Sequence, residues 1–461
     1  MFAKQTYIQR REQLQQTMRS GILLFLGNEE CGMNYADNTY DFRQDSTFLY
    51  YFGLPYAGLA AVINVDKQET IIFGDEISID HIVWMGTQPT LKEKSDRVGV
   101  TKVQPFASLS GYLQSAKAIN QPIHFLPPYR AEHNLKLTEW LSIPISQLTP
   151  SVDFIKAVVN MRNYKTGEEI AEIEKACNVT ARMHNLAYEQ LCIGDKEQKI
   201  AALLTAEALQ AGMRLSFPVI ATINGQILHN HYHGNTVKAD DMLLVDAGAE
   251  TAMGYAGDMS STIPAGKTFT SKQKEVYDIQ VKSHEAAVAA LKPGIRFEQV
   301  YELSAITICE GLKSLGLMKG DCAEAVAQGA HAMFFPCGLG HMMGLDVHDM
   351  ENLGEVWVGY DGQPKSAQFG RKSLRLARKL EPGFVLTIEP GIYFIPELID
   401  LWKSEHKFAD FLNYDRLEQY RHFGGIRNEE DYLITETGAR RLGDKIPLTV
   451  KEVENARNQN E

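Results

Sequence analysis

Three of the most apolar stretches of this sequence are each broken by one titratable side chain, and no other feature restricts the fold as much. MLLV (Met242–Val245) runs into Asp246, CGLG and MMG flank His341, and VLTI (Val385–Ile388) runs into Glu389. A carboxylate or imidazole in such a setting is costly to bury unless it is paired, hydrogen-bonded or bound to metal. Taken singly, each has a simpler reading as a strand-end group facing water. Asp258 in GYAGDMSST, His348 in LDVHD and Glu429 in GGIRNEED occupy similar settings.

Composition narrows the class. The chain has 461 residues, and 46 Lys+Arg against 58 Asp+Glu gives a net charge of −12. At about 150 residues per domain this suggests two or three domains. With 44% hydrophobic and 23% charged residues there is ample material for a core, and disorder is excluded as the main state. The acidic balance argues against nucleic acid as a partner. Apolar runs such as Ile22–Leu26 fall far short of the roughly 18 residues of a membrane span. The N-terminal MFAKQTYIQRREQLQQTMRSG has no uninterrupted apolar region of the secretory type. Cys31, Cys177, Cys192, Cys309, Cys322 and Cys337 show no CxxC spacing. They read as free thiols in a reducing compartment, so the cytoplasm is the expected location.

Helix and strand signals alternate up to about Asn160: a helix over Ile8–Met18, then strands at Ile22–Leu26, Leu59–Val65 and Thr70–Phe73. Leu141–Ser151, with Pro144 and Pro150, reads as a connection. Thr166 and Glu169 have the spacing of a capping box, opening a helix through Ile170, Ile173 and Cys177. The domain division is therefore set near Ala157–Tyr164, giving a mixed α/β domain over 1–157 and a larger domain over 158–461. In the second, strands are expected at Phe217–Ile223, Met242–Val245, Gly254–Thr262 and Val385–Tyr393, with helices over Lys272–Leu291 and Glu298–Leu315. Strands, then helices, then strands again indicate α+β. The last residues, NARNQNE, read as a frayed tail.

If Asp246, Asp258, His341, Glu389 and Glu429 converge, their four carboxylates carry −4, which two divalent cations neutralise and one does not. One imidazole among oxygen donors suits Mn²⁺, with Co²⁺, Zn²⁺ and Fe²⁺ as alternatives. Two metals about 3.5–4 Å apart bridge a water and clamp a hydrolytic transition state. A mononuclear iron site of His341, His348 and one carboxylate is the competing arrangement.

The segments LLVDAGAE, GYAGDMSSTIP, GLGHMMGLDVHD, LEPGFVLTIEPGIYF and GGIRNEEDYLITETG resemble, in the same order, the five metal-site segments of the pita-bread metallopeptidases. Within that group they are most similar to the Xaa-Pro peptidases, aminopeptidase P and prolidase. RQDSTFLYYFG (Arg43–Gly53) resembles the N-terminal domain of those enzymes, and MRNYKTGEEIAEIEKA the entry helix of their catalytic domain. The resemblance implies a pita-bread catalytic domain behind a creatinase-like N-terminal domain, and cleavage before proline by a hydroxide bridging two divalent metals. It implies that Asp246 binds one metal, that His341 and Glu389 bind the other, and that Asp258 and Glu429 bridge them. Glu389 would also be the general base. His229 would contact substrate near the scissile bond, and His348 would stabilise the tetrahedral intermediate. Arg375, in SLRLARKLEPG, would hold a dipeptide's carboxylate, and Arg427 would orient the carboxylate ligands. A homodimer is implied, with a homotetramer as the alternative.

The chain departs from that pattern in places. Cys337 stands where a substrate-facing histidine is usual, Asn428 replaces an apolar residue beside Glu429, and twelve positions rather than eleven separate Asp246 from Asp258. Other features carry less. His229, His231 and His233 would share one face of a strand, but only His229 is retained, and His231 and His233 read as a solvated loop. Gly266-Lys267-Thr268 imitates a P-loop, yet position 261 is Ser261 where that motif needs glycine. Cys337 reads as a small pocket-lining residue rather than a nucleophile, and EGLKSLGLMKG as core. SLRLAR and the segment before GGIR tilt the expectation toward a prolidase acting on Xaa-Pro dipeptides, with aminopeptidase P activity on longer peptides as runner-up. A metal-free binding module and a metal-independent creatinase are disfavoured by the retained carboxylates.

Overall fold

In the computed structural model, residues 1–458 are described. The chain separates into two compact units, one of Met1–Arg162 with Glu351–Trp357, the other of Asn163–Met350 with the chain from Val358 onward. The main segment of the first unit ends after Arg162, where the unbroken helix Val152–Arg162 closes, inside the range Ala157–Tyr164 read from the sequence. That the unit also includes Glu351–Trp357 had no counterpart in a division by contiguous ranges.

The smaller unit opens with the helix Lys4–Met18 and builds a five-stranded sheet. Its strands are β1 (Ile22–Leu26), β2 (Ala60–Asn64), β3 (Glu69–Phe73), β4 (Lys102–Gln104) and β5 (Ile123–His124), in the order β4-β3-β2-β1-β5. Antiparallel pairs join β1 to β2 and β2 to β3, whereas β5 and β4 add in parallel. Every residue of the central β2 is buried, as a strand covered on both faces must be. Ile22, Leu24, Val62, Ile71 and Phe73 meet Leu109, Leu113, Leu137 and Trp140 in one core.

The larger unit is α+β. Thr166 and Glu169 form the expected capping box, each side chain accepting from the other's backbone N–H, at the start of helix Gly167–Gln190. Thr270 and Gln273 do the same for helix Ser271–Ala290, and helix Phe297–Ser314 follows. The strands are β6 (Arg214–Leu215), β7 (Ile220–Thr222), β8 (Met242–Ala247), β9 (Ala249–Glu250), β10 (Met259–Pro264), β11 (Val385–Ile388), β12 (Gly391–Tyr393), β13 (Gly425–Arg427), β14 (Glu430–Ile434) and β15 (Ala439–Arg441). They form the sheets β10-β8-β7, β11-β14-β15, β12-β13 and β6-β9.

Three strands are shorter than the apolar patterning suggests, each for a local reason. Phe217–Ile223 narrows to β7, since Pro218 has no N–H to offer a ladder. Gly254, at a φ of +90°, closes a turn with Thr251, and the strand begins only at Met259. Val385–Tyr393 divides at Glu389-Pro390 for the same reason as Pro218. At the C-terminus, Asn455–Asn458 of the expected tail are helical within Val450–Asn458, while Gln459, Asn460 and Glu461 lie outside the described residues.

Gly340 shows how closely these segments approach. A Cβ there would sit 2.0 Å from the carbonyl oxygen of Thr387 in β11. Gly340→Ala is expected to destabilise the protein by about 3 kcal/mol, the upper end of overpacking costs, as read by urea denaturation.

Candidate active site and metal centre

The acidic side chains are gathered by strand register. In the antiparallel β8/β10 ladder Asp246 stands opposite Ser260, and Ser260 is also bridged to Glu429, whose N–H donates to the Ser260 carbonyl at 3.0 Å. Residues directly opposite one another share a face of a sheet, as do residues two apart on one strand. Asp246, Ser260 and Glu429 therefore point the same way, with Asp258 and Arg427 two positions back on their own chains. The rest of the set comes from the chain beside β11. His341 N–H donates to Thr387 Oγ1 at 3.2 Å, Thr387 N–H to the His341 carbonyl at 3.0 Å, and Glu389 N–H to the Leu339 carbonyl at 2.8 Å.

The result is a buried, strongly acidic cluster. His341 Nε2 lies 3.4 Å from Asp258 Oδ2, 3.8 Å from Glu389 Oε1 and 3.9 Å from Glu429 Oε1. Asp258, His341 and Glu429 offer ligand atoms all within 4.8 Å of one another. Asp246 joins from the side through Arg427, whose Nη2 donates to its Oδ2 at 2.6 Å. Burial, reinforced by Asp246, pushes the Asp258 carboxyl well above its ordinary range. Glu429 is raised by burial and Asp258, and Glu389 by burial, with His341 and Arg427 opposing.

This donor set fits divalent metal. Asp246 Oδ1, Asp258 Oδ1 and Glu429 Oε1 are buried and have no hydrogen-bond partner among the described residues, and orphaned buried oxygens of this kind call for an ion. His341 Nδ1 lies 3.1 Å from the Met342 carbonyl. Donating there assigns the proton to Nδ1 and leaves the Nε2 lone pair directed at the carboxylates.

All ten residues singled out in the sequence line one cavity of about 710 Å³: Asp246, Asp258, His341, Glu389, Glu429, Arg427, His229, His348, Arg375 and Cys337. The His348 ring centroid is 4.2 Å from that of His341. Partial desolvation in the cavity mouth and the nearby Arg427 lower the pKa of His229, which stays exposed to solvent, favouring the neutral ring. Burial, with Glu389 nearby, pushes the Cys337 thiol up to about 12 and keeps it protonated. Phe217, Pro218, Ile220 and Leu228 add an apolar wall. The histidine triplet does not form a strand. His231 is exposed yet lines the cavity, and His233 Nε2 meets the Val219 carbonyl at 3.1 Å.

Several supporting residues were not singled out in the sequence. Ser260 Oγ donates to Glu429 Oε2 at 2.8 Å and accepts from Arg427 Nε at 2.9 Å, while Arg427 Nη1 reaches Tyr393 Oη at 3.0 Å. Asp431, two positions beyond Glu429 and so available to a period-two reading, accepts from the Asp258 N–H and from the Cys177 thiol, both at 3.1 Å. Lys165 Nζ and Asp349 Oδ2 pair at 2.7 Å with both side chains almost fully buried. Asp349 also receives the Asp346 N–H and gives its own N–H to the Met342 carbonyl, so the pair braces the loop that runs from His341 to His348.

Comparison with known proteins places this geometry. Residues 171–436 match "Metallopeptidase family M24" and residues 7–124 match "Aminopeptidase P, N-terminal domain". The chain is 30% identical to a human (Homo sapiens) Xaa-Pro dipeptidase over 94% of its own length and 88% of that protein's. It is 31% identical to an Escherichia coli Xaa-Pro aminopeptidase over 98% and 97%. Among solved structures, zinc-substituted E. coli aminopeptidase P in complex with product superposes with a TM-score of 0.82 at 28% identity, covering 100% of this chain and 99% of that one. Proline aminopeptidase P II from Yersinia pestis gives 0.82 at 28%, covering 99% of each.

Removing the Lys165 ammonium takes that cation away from the buried Asp349 carboxylate. Lys165→Met is expected to cost about 3–5 kcal/mol by chemical denaturation, and a further Asp349→Leu exchange to return part of it.

Proposed function

Because this chain belongs to metallopeptidase family M24, we propose that it hydrolyses the peptide bond before proline, with Xaa-Pro dipeptides as preferred substrates. The observation that carries this reading is the buried group Asp258, His341 and Glu429, with Asp246 and Glu389 on the same cavity wall and three carboxylate oxygens lacking partners. An Xaa-Pro bond is a tertiary amide with no N–H, which removes the donor that many proteases grip.

Asp246, Asp258, His341, Glu389 and Glu429 would hold two divalent ions, manganese being favoured by one imidazole among carboxylates. Such ions supply Lewis-acid polarisation of the scissile carbonyl and bring the pKa of a water toward neutrality. The protein's own groups do the rest. Arg427 and Ser260 fix the carboxylates of Asp246 and Glu429. Glu389, its proton affinity raised by burial, accepts a proton from the attacking water and passes it to the proline nitrogen. Neutral His229 donates to the substrate near the scissile bond, and His348, against His341, donates to the oxygen that gains charge. Arg375 binds the free carboxylate of a dipeptide through two N–H groups, and Cys337 lines the substrate wall as a neutral thiol.

A second reading, aminopeptidase P activity on longer peptides, is favoured by near end-to-end similarity to the E. coli Xaa-Pro aminopeptidase. A homodimer in the cytoplasm is the proposed setting. All six cysteines are free, as a reducing compartment allows.

With Mn²⁺ added, an Xaa-Pro dipeptide should be turned over with higher kcat/KM than an Xaa-Pro-Yaa tripeptide. The reverse ratio transfers the assignment to aminopeptidase P, and no cleavage of either peptide overturns both. Glu389→Gln should lower kcat by about 10²–10⁴-fold. Arg375→Ala should raise KM for the dipeptide roughly 10–100-fold, the loss of a charged hydrogen bond, and leave its C-terminal amide much less affected.

A further inference from the structure

The two strands that carry Glu389 and Glu429 are not paired with each other where those residues stand. The β11/β14 ladder closes at Ile388 opposite Glu430, and the β12/β13 ladder resumes at Gly391 opposite Arg427. Glu389-Pro390 on one chain and Asn428-Glu429 on the other fall in the gap between. Glu389 N–H turns to Leu339 and Glu429 N–H to Ser260, and Pro390 has no N–H. An antiparallel pair interrupted for two residues on both strands has lost the bonds that hold its spacing.

A helix that contributes nothing to the cavity wall fills this gap. Gln280, in Ser271–Ala290, is fully buried, and Asn428 is 2% exposed. Gln280 Nε2 donates to the Pro390 carbonyl at 2.7 Å and more weakly to the Asn428 carbonyl at 3.5 Å. Asn428 Nδ2 donates to Gln280 Oε1 at 2.5 Å, while Asn428 Oδ1 accepts from Thr262 N–H at 3.2 Å and Tyr277 Oη at 3.1 Å. Each amide thus satisfies its partner, and together they tie Pro390, Asn428 and β10 to one helix. We propose that Gln280 and Asn428 form an amide clamp that sets the separation of Glu389 and Glu429, and hence the affinity of the centre for its ions. They are positioning residues and touch no substrate. An apolar pair of similar volume would fill the same space but leave the Pro390 carbonyl and the Thr262 N–H buried without partners.

The clamp rests on the metal-centre reading above, so the test measures metal binding directly. Mn²⁺ is titrated calorimetrically into the metal-free full-length chain and into Gln280→Leu, Asn428→Leu, the double variant and Tyr277→Phe. Both single variants should bind Mn²⁺ about 10–100-fold more weakly, the range found for groups that orient ligands. The double variant should lose no more than the worse single one, because the two act as a unit. Tyr277→Phe, which removes one hydroxyl and little volume, should show a smaller loss in the same direction and decides the matter if the leucine variants do not fold. Unchanged Mn²⁺ affinity in the folded variants, even with a lowered thermal midpoint, makes the pair merely structural and overturns the clamp. Absence of Mn²⁺ binding by the unsubstituted protein overturns the metal-centre reading itself, and the clamp with it.

Discussion

Four carboxylates, three of them buried and Glu389 half-buried, gathered around one guanidinium and one imidazole are the condition on which the rest of the larger unit depends. Asp246, Asp258, Glu389 and Glu429 repel one another, and Arg427, itself 3% exposed, supplies a fixed positive charge bonded directly to Asp246. Gathering like charges at this density opposes folding. The surrounding structure is consequently rigid in its hydrogen bonding. Ser260 serves Glu429 and Arg427, Asp431 receives the Asp258 N–H, and Thr387 receives the His341 N–H.

The acidic side chains stand at the ends and interruptions of strands, not within their continuous runs. Asp246 stands near the end of β8, Asp258 just before β10, Glu389 just past β11 and Glu429 between β13 and β14. A residue at a strand end is held by the ladder behind it while its side chain enters open space. Pro390 enforces one such end, and close approaches at Gly340 and Gly248, where a Cβ would meet a carbonyl oxygen at 2.0 and 1.9 Å, bring neighbouring chains into position. The helices Gly167–Gln190 and Ser271–Ala290 back this arrangement through Cys177, His184 and Gln280.

The cavity combines that acidic floor with walls of other chemistry. Phe217, Pro218, Ile220 and Leu228 are apolar, whereas Arg375, His229 and His348 can donate hydrogen bonds. Apolar and hydrogen-bonding groups therefore face one another across the same cavity.

Much of this was legible in the sequence because the informative residues interrupt apolar patterns. Asp246 after MLLV, Glu389 after VLTI and the Thr166/Glu169 spacing are local signals, and local physics explains them: the cost of burying charge and the unsatisfied amides of a helix start. Where patterning misled, a single backbone fact intervened, such as Pro218, Pro390 or the left-handed turn at Gly254. Ser260, Tyr393, Lys165, Asp349 and Gln280 could not be read in advance. A serine in a strand or a glutamine on a helix has no distinguishing neighbourhood until the fold supplies one. The sequence by itself determined which charged side chains interrupt apolar segments and where helices such as Gly167–Gln190 and Ser271–Ala290 run. Only tertiary structure decided that Asp246 and Glu429 flank the same serine and that one helix hydrogen-bonds across the gap between the β11/β14 and β12/β13 ladders, because register and hydrogen bonding between distant segments exist only once the chain has closed on itself.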